Sequence, residues 1–427
     1  MKLHEELFSF IEKSPSPYHT VAHTAEQLRA AGFAPLSEND VWHLTEGGKY
    51  YVVRDGSSLI AFIYRKDPRG FLISAAHTDS PSFCVKSHAE RASAGAYVTL
   101  ETEKYGGMMY YTWFDRPLSV AGRLMVRTAH GAETRLVAPA RDLCVIPSLA
   151  IHMNRAVNDG FKANPAVDLL PLFGTGTPDG TLSALLAAQT GCAPEDILAS
   201  DLYLCTREAG RVFGGKEEFI LAPRLDDLGC VFACLKGFLS AKTPAGLSPV
   251  LALFDNEEVG SSTKQGAAST FLSDVLHRAA GEGYPTAIAG SFMVSADNAH
   301  AKHPNHPELC DPDHAPVVNG GVVVKFNAAQ HYATDALSCA VFEEICRRAD
   351  VPTQKYYNRA DMPGGSTLGS ISDTCVSVPT VDIGMAQLAM HSAVESVGVA
   401  DVTSITDAMR AFYASDLTLR DGTFTLG

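Results

Sequence analysis

Short apolar runs, each bounded by turn-forming or charged residues, recur in the first 88 residues and in the second half of the chain. Five of them predict buried strands, at 59–64, 71–76, 249–254, 291–296 and 380–384. Apolar residues at helical spacing predict helices at 226–239, 267–280 and 335–348, and a short one near Leu3, Leu7 and Ile11. Strands that alternate with helices indicate an α/β domain, with helices on both faces of a largely buried sheet.

The stretch from 89 to 218 has a different pattern. Residues 97–102 and 118–127 partly alternate apolar and polar positions with period two, which is typical of half-exposed antiparallel strands. We therefore predict a β-rich domain at 89–218, inserted into an α/β domain formed by residues 1–88 and 219–427. The length of 427 residues agrees with this division, because it exceeds what one hydrophobic core usually supports.

Composition and charge exclude several classes of protein. A hydrophobic share of 46% and a charged share of 19% are those of a globular enzyme. The formal net charge of −14 disfavours nucleic acid and anionic membranes as partners. The charged N-terminus and the lack of long apolar runs predict neither a signal peptide nor a membrane span. Ten scattered cysteines, without Cys-x-x-Cys spacing, are expected to be reduced core residues, which favours a cytoplasmic location.

Histidines and carboxylates follow several of the predicted strands or open a predicted helix. Each of them alone would be interpreted as a cap or turn residue. Together they are expected at one edge of the sheet, where the crevice of an open α/β fold lies. Because buried carboxylates are costly unless a cation compensates them, the set predicts a metal site. Its candidate ligands are His77, Asp226, Glu258, Asp297 and His391.

Two histidines and three carboxylates, one of them bridging, would give each of two ions three protein ligands and leave room for water. Nitrogen and oxygen ligands favour zinc, with manganese or cobalt as substitutes. In the adjacent pair Glu257 and Glu258, one carboxylate can bind metal while the other acts on water as a general base. Asp79, two residues after His77, can accept the second N–H of the imidazole, and a turn-capping aspartate is the alternative.

The motifs around these residues resemble those of the M18 family of dinuclear zinc aminopeptidases, whose best-known members are the aspartyl aminopeptidases. The resemblance extends over nearly the whole chain and is specific because many short motifs occur in the same order. These motifs are 77–81 (His-Thr-Asp-Ser-Pro), 113–116 (Trp-Phe-Asp-Arg), 149–152 (Leu-Ala-Ile-His), 223–226 (Pro-Arg-Leu-Asp), 255–261 (Asp-Asn-Glu-Glu-Val-Gly-Ser), 295–300 (Ser-Ala-Asp-Asn-Ala-His), 319–321 (Asn-Gly-Gly) and 388–392 (Leu-Ala-Met-His-Ser).

The resemblance implies a zinc-peptidase (phosphorylase/hydrolase-like) catalytic domain with an inserted β-rich dimerisation domain. It assigns His77, Asp226 and Asp297 to one zinc ion. The second ion would be held by Asp226, which bridges, together with Glu258 and His391, and Glu257 would be the general base. It also implies self-association to dimers and to a tetrahedral shell of twelve subunits.

The family pattern also places four residues at the peptide substrate. Three of them, His300, Lys325 and Tyr332, belong to the catalytic domain. The fourth, His152, lies in the inserted domain and would complete a neighbouring subunit's site, although an ordinary core or surface histidine is the alternative.

Three positions depart from the residues that are usual in the family. His331 and Cys84 stand where arginine is common, and Asp227 stands where asparagine is usual. These changes remove positive charge or add negative charge near the expected pocket.

We expect removal of N-terminal Asp or Glu, with neutral, Leu-type specificity as the alternative. A silent oligomeric scaffold with structural metals is a further alternative, disfavoured because such a site has no use for the unligated Glu257 carboxylate.

Overall fold

The computed structural model describes residues 2–240, 242–362 and 364–427. Within these residues the α-helices are, in chain order, α1 Leu3–Glu12, α2 Pro17–Ala30, α3 Thr181–Thr190, α4 Leu225–Ser240, α5 Phe271–Ala280, α6 Tyr284–Ala289, α7 Ala336–Arg348, α8 Leu368–Ser372 and α9 Val399–Ala414. The strands of the same residues are β1 Ala34–Leu36, β2 Lys49–Arg54, β3 Ser58–Ile63, β4 Gly70–His77, β5 Ser82–Ser93, β6 Tyr97–Tyr105, β7 Leu118–Thr128, β8 Gly131–Val137, β9 Leu172–Thr175, β10 Ile197–Thr206, β11 Arg211–Phe213, β12 Phe219–Ala222, β13 Leu247–Phe254, β14 Phe292–Ala296, β15 Ala299–His300, β16 Val322–Phe326, β17 Thr353–Tyr357, β18 Thr380–Gly384, β19 Ala386–Leu388, β20 Glu395–Gly398, β21 Leu417–Arg420 and β22 Thr423–Leu426.

The largest sheet has the strand order β1-β2-β3-β13-β4-β14-β18-β16-β17, and its centre is the parallel set β13, β4, β14 and β18. Side chains of β4 alternate between two apolar layers. Leu72 joins the layer that contains α4, α7 and α9, and Ile73 joins the layer that contains α5 and α6. Because both faces are buried, the central strands are continuous apolar runs in the sequence. The predicted α/β class is confirmed.

The predicted strands and helices of this domain are confirmed, with small shifts at their ends. Helix α5 begins at Phe271, later than the predicted 267, because the Ser269 hydroxyl accepts the Phe271 N–H at 3.3 Å and holds the preceding residues in a turn. Helix α4 includes Asp226 and Asp227 at its start, but both have non-helical backbone angles.

A second sheet is antiparallel throughout and has the order β8-β7-β10-β5-β6-β9. It contains both strands predicted for the β-rich part and has an apolar cluster of its own around Phe83, Trp113 and Leu118. The β-rich second part of the fold is thereby confirmed. Its strands begin at Ser82 and end at Thr206, and the domain boundaries at 88/89 and 218/219 stay predictions.

A smaller sheet has the strand order β11-β12-β20-β19-β15. Strand β12 leads directly into α4, and β19 and β20 flank the loop that carries His391. This sheet therefore brings the start of α4 and the His391 loop to the same place.

Two further expectations concern cysteines and membranes. All ten cysteines are free thiols, and six of them are buried: Cys144, Cys205, Cys230, Cys234, Cys339 and Cys346. In the part of the chain that the structure describes, no helix has the length and apolar character needed to cross a bilayer.

Candidate metal centre

The candidate ligands meet at the carboxyl ends of the central strands. His77 is the last residue of β4, Asp297 follows β14, and Glu257 and Glu258 follow β13 after a short turn. Since parallel strands end at the same edge of a sheet, these side chains converge there. With residues from the start of α4 and from the His391 loop, they line one cavity that opens to solvent.

Asp226 lies between the two histidines. One carboxylate oxygen, Oδ1, is 3.4 Å from Nε2 of His77, and the other, Oδ2, is 3.5 Å from Nε2 of His391. Glu258 Oε2 is also 3.5 Å from the same nitrogen of His391. Each oxygen of Asp226 therefore faces a different histidine, which is the arrangement of a bridging ligand.

Ligand atoms within 4.8 Å of one another form overlapping groups around Asp226. One group contains His77, Asp226, Asp227 and Asp297, and another contains Asp226, Glu258 and His391. A third group, His77, Glu257 and Glu258, overlaps with both. Several of the oxygens are buried yet have no hydrogen-bond partner in the described residues: Asp226 Oδ1, Asp227 Oδ1 and Glu258 Oε1. Buried carboxylate oxygens of this kind are costly unless positive charge compensates them, and the residues fit a divalent metal centre.

The charges in the cluster favour bound cations. Burial raises the pKa of Glu258 and of Asp297, and the neighbouring Asp226 raises both further. Burial lowers the pKa of His391, but Asp226 and Glu258 outweigh this effect and raise it to about 10. A site with this excess of negative charge takes up positive charge, either as protons or as metal ions.

Glu257 and Glu258 begin a short turn whose preceding residue, Asn256, has a left-handed backbone with φ of 62°. The N–H groups of both glutamates donate to the Asp79 carboxylate, each at 3.2 Å. Burial raises the pKa of Glu257 to about 8. The turn thus presents two neighbouring carboxylates to the cavity from one fixed piece of backbone.

Asp79 is fully buried behind the cavity wall. Nδ1 of His77 lies 3.1 Å from the Asp79 backbone oxygen and 3.3 Å from its Oδ1. The carboxylate also accepts the Tyr105 hydroxyl at 2.6 Å. These contacts are those expected of a residue that orients an imidazole ligand, and they additionally connect Asp79 to the turn that carries Glu257.

The substrate candidates of the catalytic domain also line the cavity. Lys325 is fully buried, and its ammonium donates to the backbone oxygens of Asp297 at 2.7 Å and of Asn298 at 3.3 Å. The ammonium lies 5.2 Å from the centre of the buried Tyr332 ring, and His300 is exposed at the cavity wall. Lys325 therefore contributes positive charge to the base of the cavity.

His152 lies elsewhere, in an exposed turn of the second sheet's domain. The described residues that line the cavity of the candidate metal centre do not include His152. Leu149, Ile151 and Met153 around it are exposed as well.

Glu395 was missed by the sequence analysis. Its buried carboxylate accepts the N–H of Asp226 at 3.0 Å and the N–H of His391 at 2.7 Å, so it connects the two segments that face each other across the centre. The only signal in the sequence is an acidic residue within the apolar run 393–397.

Asp227, one of the three departures from the family pattern, accepts the N–H of His77 at 3.1 Å.

Comparisons with known proteins place the chain in a family. The family model described as "Aminopeptidase I zinc metalloprotease (M18)" matches residues 10–413. A probable M18 family aminopeptidase 2 of Clostridium acetobutylicum is 45% identical, over 96% of this chain and 98% of its own. An aspartyl aminopeptidase of Dictyostelium discoideum is 38% identical, over 93% of both chains. The solved structure of the S. cerevisiae mApe1 dodecamer superposes with a TM-score of 0.83 at 28% identity, over 96% of this chain and 95% of that one.

Proposed function

The chain belongs to the M18 family of zinc metalloproteases and is an aminopeptidase, and from this premise we propose that it acts through two divalent ions and prefers acidic N-terminal residues. One ion is assigned to His77, Asp226 and Asp297, and the other to Asp226, Glu258 and His391. The ions are zinc, with manganese or cobalt as substitutes. The observation that carries the proposal is the position of Asp226, whose two oxygens face different histidines.

Metal content tests the proposal directly. The purified, active protein is expected to contain two divalent ions per chain by elemental analysis. A fully active protein with at most one ion per chain would contradict the two-metal centre.

The residues around the proposed ions define the chemistry. Bound divalent ions would polarise the scissile carbonyl and make a water molecule more acidic. Glu257 is not assigned as a ligand of either ion. It accepts the proton of the attacking water and returns it to the leaving amine. Asp79 and Glu395 keep the ligand-bearing segments in place through their hydrogen bonds.

The proposed preference for acidic residues is supported by Lys325. Its buried ammonium is a compact positive charge in the cavity, next to the ring of Tyr332. One of the relatives, the Dictyostelium discoideum protein, is named an aspartyl aminopeptidase. A carboxylate on the first residue of a peptide would meet this charge.

Replacing Lys325 with Ala is expected to lower kcat/KM more for an aspartyl substrate than for a leucyl one. The ratio of the two kcat/KM values should fall by roughly tenfold, because only the aspartyl substrate loses a buried charge pair. The ratio is the measurement, since the ammonium also contacts Asp297 and its loss affects every substrate. Chromogenic aminoacyl substrates provide both values. Equal losses, or faster cleavage of the leucyl substrate by the unaltered protein, would favour neutral specificity.

We further propose that the protein assembles into dimers and a tetrahedral dodecamer, and that His152 acts in the site of a neighbouring subunit. Exposed apolar side chains at Leu149, Ile151 and Met153 form a surface that association would cover. The mApe1 structure with which the chain superposes is a dodecamer. In this arrangement the imidazole would donate a hydrogen bond to the developing oxyanion.

Mixing two inactive variants is expected to restore activity if His152 serves a partner. His152→Ala subunits retain Glu257, and Glu257→Gln subunits retain His152, so some sites in a mixed oligomer receive both intact residues. The variants are co-purified through two different affinity tags and assayed against each variant alone. Co-assembly without recovery would place His152 in its own subunit's site or outside catalysis.

A further inference from the structure

Three consecutive residues at the end of β6 extend from the second sheet to the candidate metal centre. They are Tyr105, Gly106 and Gly107, and each of them contacts a different residue of the centre or of its support. The β-rich part of the chain therefore reaches the site of its own subunit, in addition to any contacts with other subunits.

Tyr105 is buried, and its hydroxyl donates to Oδ2 of Asp79 at 2.6 Å. The same hydroxyl accepts the side-chain N–H of Asn256 at 2.9 Å. Burial and the Asp79 carboxylate raise the pKa of Tyr105, so the phenol keeps its proton and remains a donor. Asp79 in turn holds the N–H groups of Glu257 and Glu258, so Tyr105 supports the turn that carries the base and a ligand.

The two glycines contact the other side of the centre. Gly106 has a φ of 79°, and a Cβ on it would lie 3.1 Å from Cβ of Glu258. The backbone oxygen of Gly107 lies 3.1 Å from Nδ1 of His391 and accepts its N–H, which leaves Nε2 free to face Asp226. The segment thus fixes the tautomer of His391 and limits the space behind Glu258.

We propose that the segment Tyr105–Gly107 organises the metal centre of its own subunit, with Tyr105 as a positioning residue that acts through Asp79. This inference rests on the proposed two-metal centre and adds to it a second role for the β-rich part of the chain. Outer hydrogen bonds of this kind typically change metal affinity or activity by roughly 10–100-fold.

Replacing Tyr105 with Phe in the assembled enzyme removes only the hydroxyl. We expect kcat to fall by roughly 10–100-fold with KM changed by less than about twofold, and the dissociation constant for cobalt to rise by roughly tenfold. The visible absorption of the cobalt-substituted protein is expected to shift as well, since the ligand geometry changes. Tyr203→Phe is the matched control, because its ring packs edge-on against Tyr105 at 5.3 Å while the Tyr105–Asp79 bond stays in place.

Gly106→Ala tests the second contact independently of Tyr105. The added methyl group presses on Glu258 and is expected to weaken cobalt binding by roughly tenfold. Gly95→Ala is its control, because Gly95 lies in the same domain with a φ of 68°, and a Cβ there meets no described atom within 4 Å. Both changes carry the cost of a left-handed backbone, so only the loss beyond that of Gly95→Ala reports on the centre.

The outcomes separate this inference from the proposed function. His77→Ala is titrated with cobalt alongside the other variants, and it is expected to lose one ion. Unchanged cobalt binding in His77→Ala would overturn the proposed centre itself. If His77→Ala loses one cobalt ion while Tyr105→Phe keeps the kcat, cobalt affinity and spectrum of the unaltered protein, only the role of Tyr105 is overturned. A lower melting temperature of Tyr105→Phe without those changes would likewise mean a purely structural contact and overturn the inference.

Discussion

Replacing Glu257 with Gln is expected to lower kcat by roughly 10²–10⁴ while both divalent ions stay bound, the range typical of a lost general base. Glutamine keeps the size of the side chain, and the backbone N–H of residue 257 still donates to Asp79. The amide cannot accept a proton from water. Stopped assays over a range of peptide concentrations give kcat and KM, and elemental analysis of the same preparation gives the metal content.

Glu258→Gln is the matched control, because it makes the same chemical change one residue away. Glu258 Oε2 faces His391, so this variant is expected to lose affinity for one ion and to recover activity when metal is added in excess. Turnover close to that of the unaltered enzyme in Glu257→Gln, with metal content intact, would assign the base to another residue.

The sequence predicted that the candidate ligands lie together because strand ends and polar residues after them are both local features. His77 and Asp297 each end or follow a short apolar run, and the edge rule for open α/β sheets brings such residues together without knowledge of the strand order. The buried, unpartnered carboxylate oxygens then agree with the charge argument made from the sequence. The roles assigned to the individual ligands stay predictions that the proposed experiments test.

The supporting contacts could not be predicted in the same way. Tyr105 ends β6 and Asp79, 26 residues earlier, lies in the loop after β4. Glu395 meets Asp226 across 169 residues. Hydrogen bonds of this kind depend on how the domains pack, for which apolar periodicity carries no signal. The start of α5 was predicted too early for a local reason, since Ser269 competes with the helix for the Phe271 N–H.

Removing the carboxylate of Asp226 is expected to abolish binding of both ions, whereas removing the imidazole of His77 should affect one. The reason is geometric: the Asp226 oxygens lie 3.4 Å and 3.5 Å from nitrogens of two different histidines, while His77 belongs to one ligand set. Activity of Asp226→Ala is expected to fall by at least roughly 10³, because the electrostatic stabilisation supplied by both ions is worth several kcal/mol.

Calorimetric titration of the metal-free proteins with zinc separates one-ion from two-ion losses. His77→Ala should retain one binding event and Asp226→Ala none, while circular dichroism and the oligomeric state of both variants establish that the fold is kept. The comparison is sharper than either variant alone, because misfolding would affect the two proteins without regard to which ligand is shared. If Asp226→Ala still bound one ion as tightly as His77→Ala does, Asp226 would belong to a single ion, and the two half-sites would have to be held by separate carboxylates.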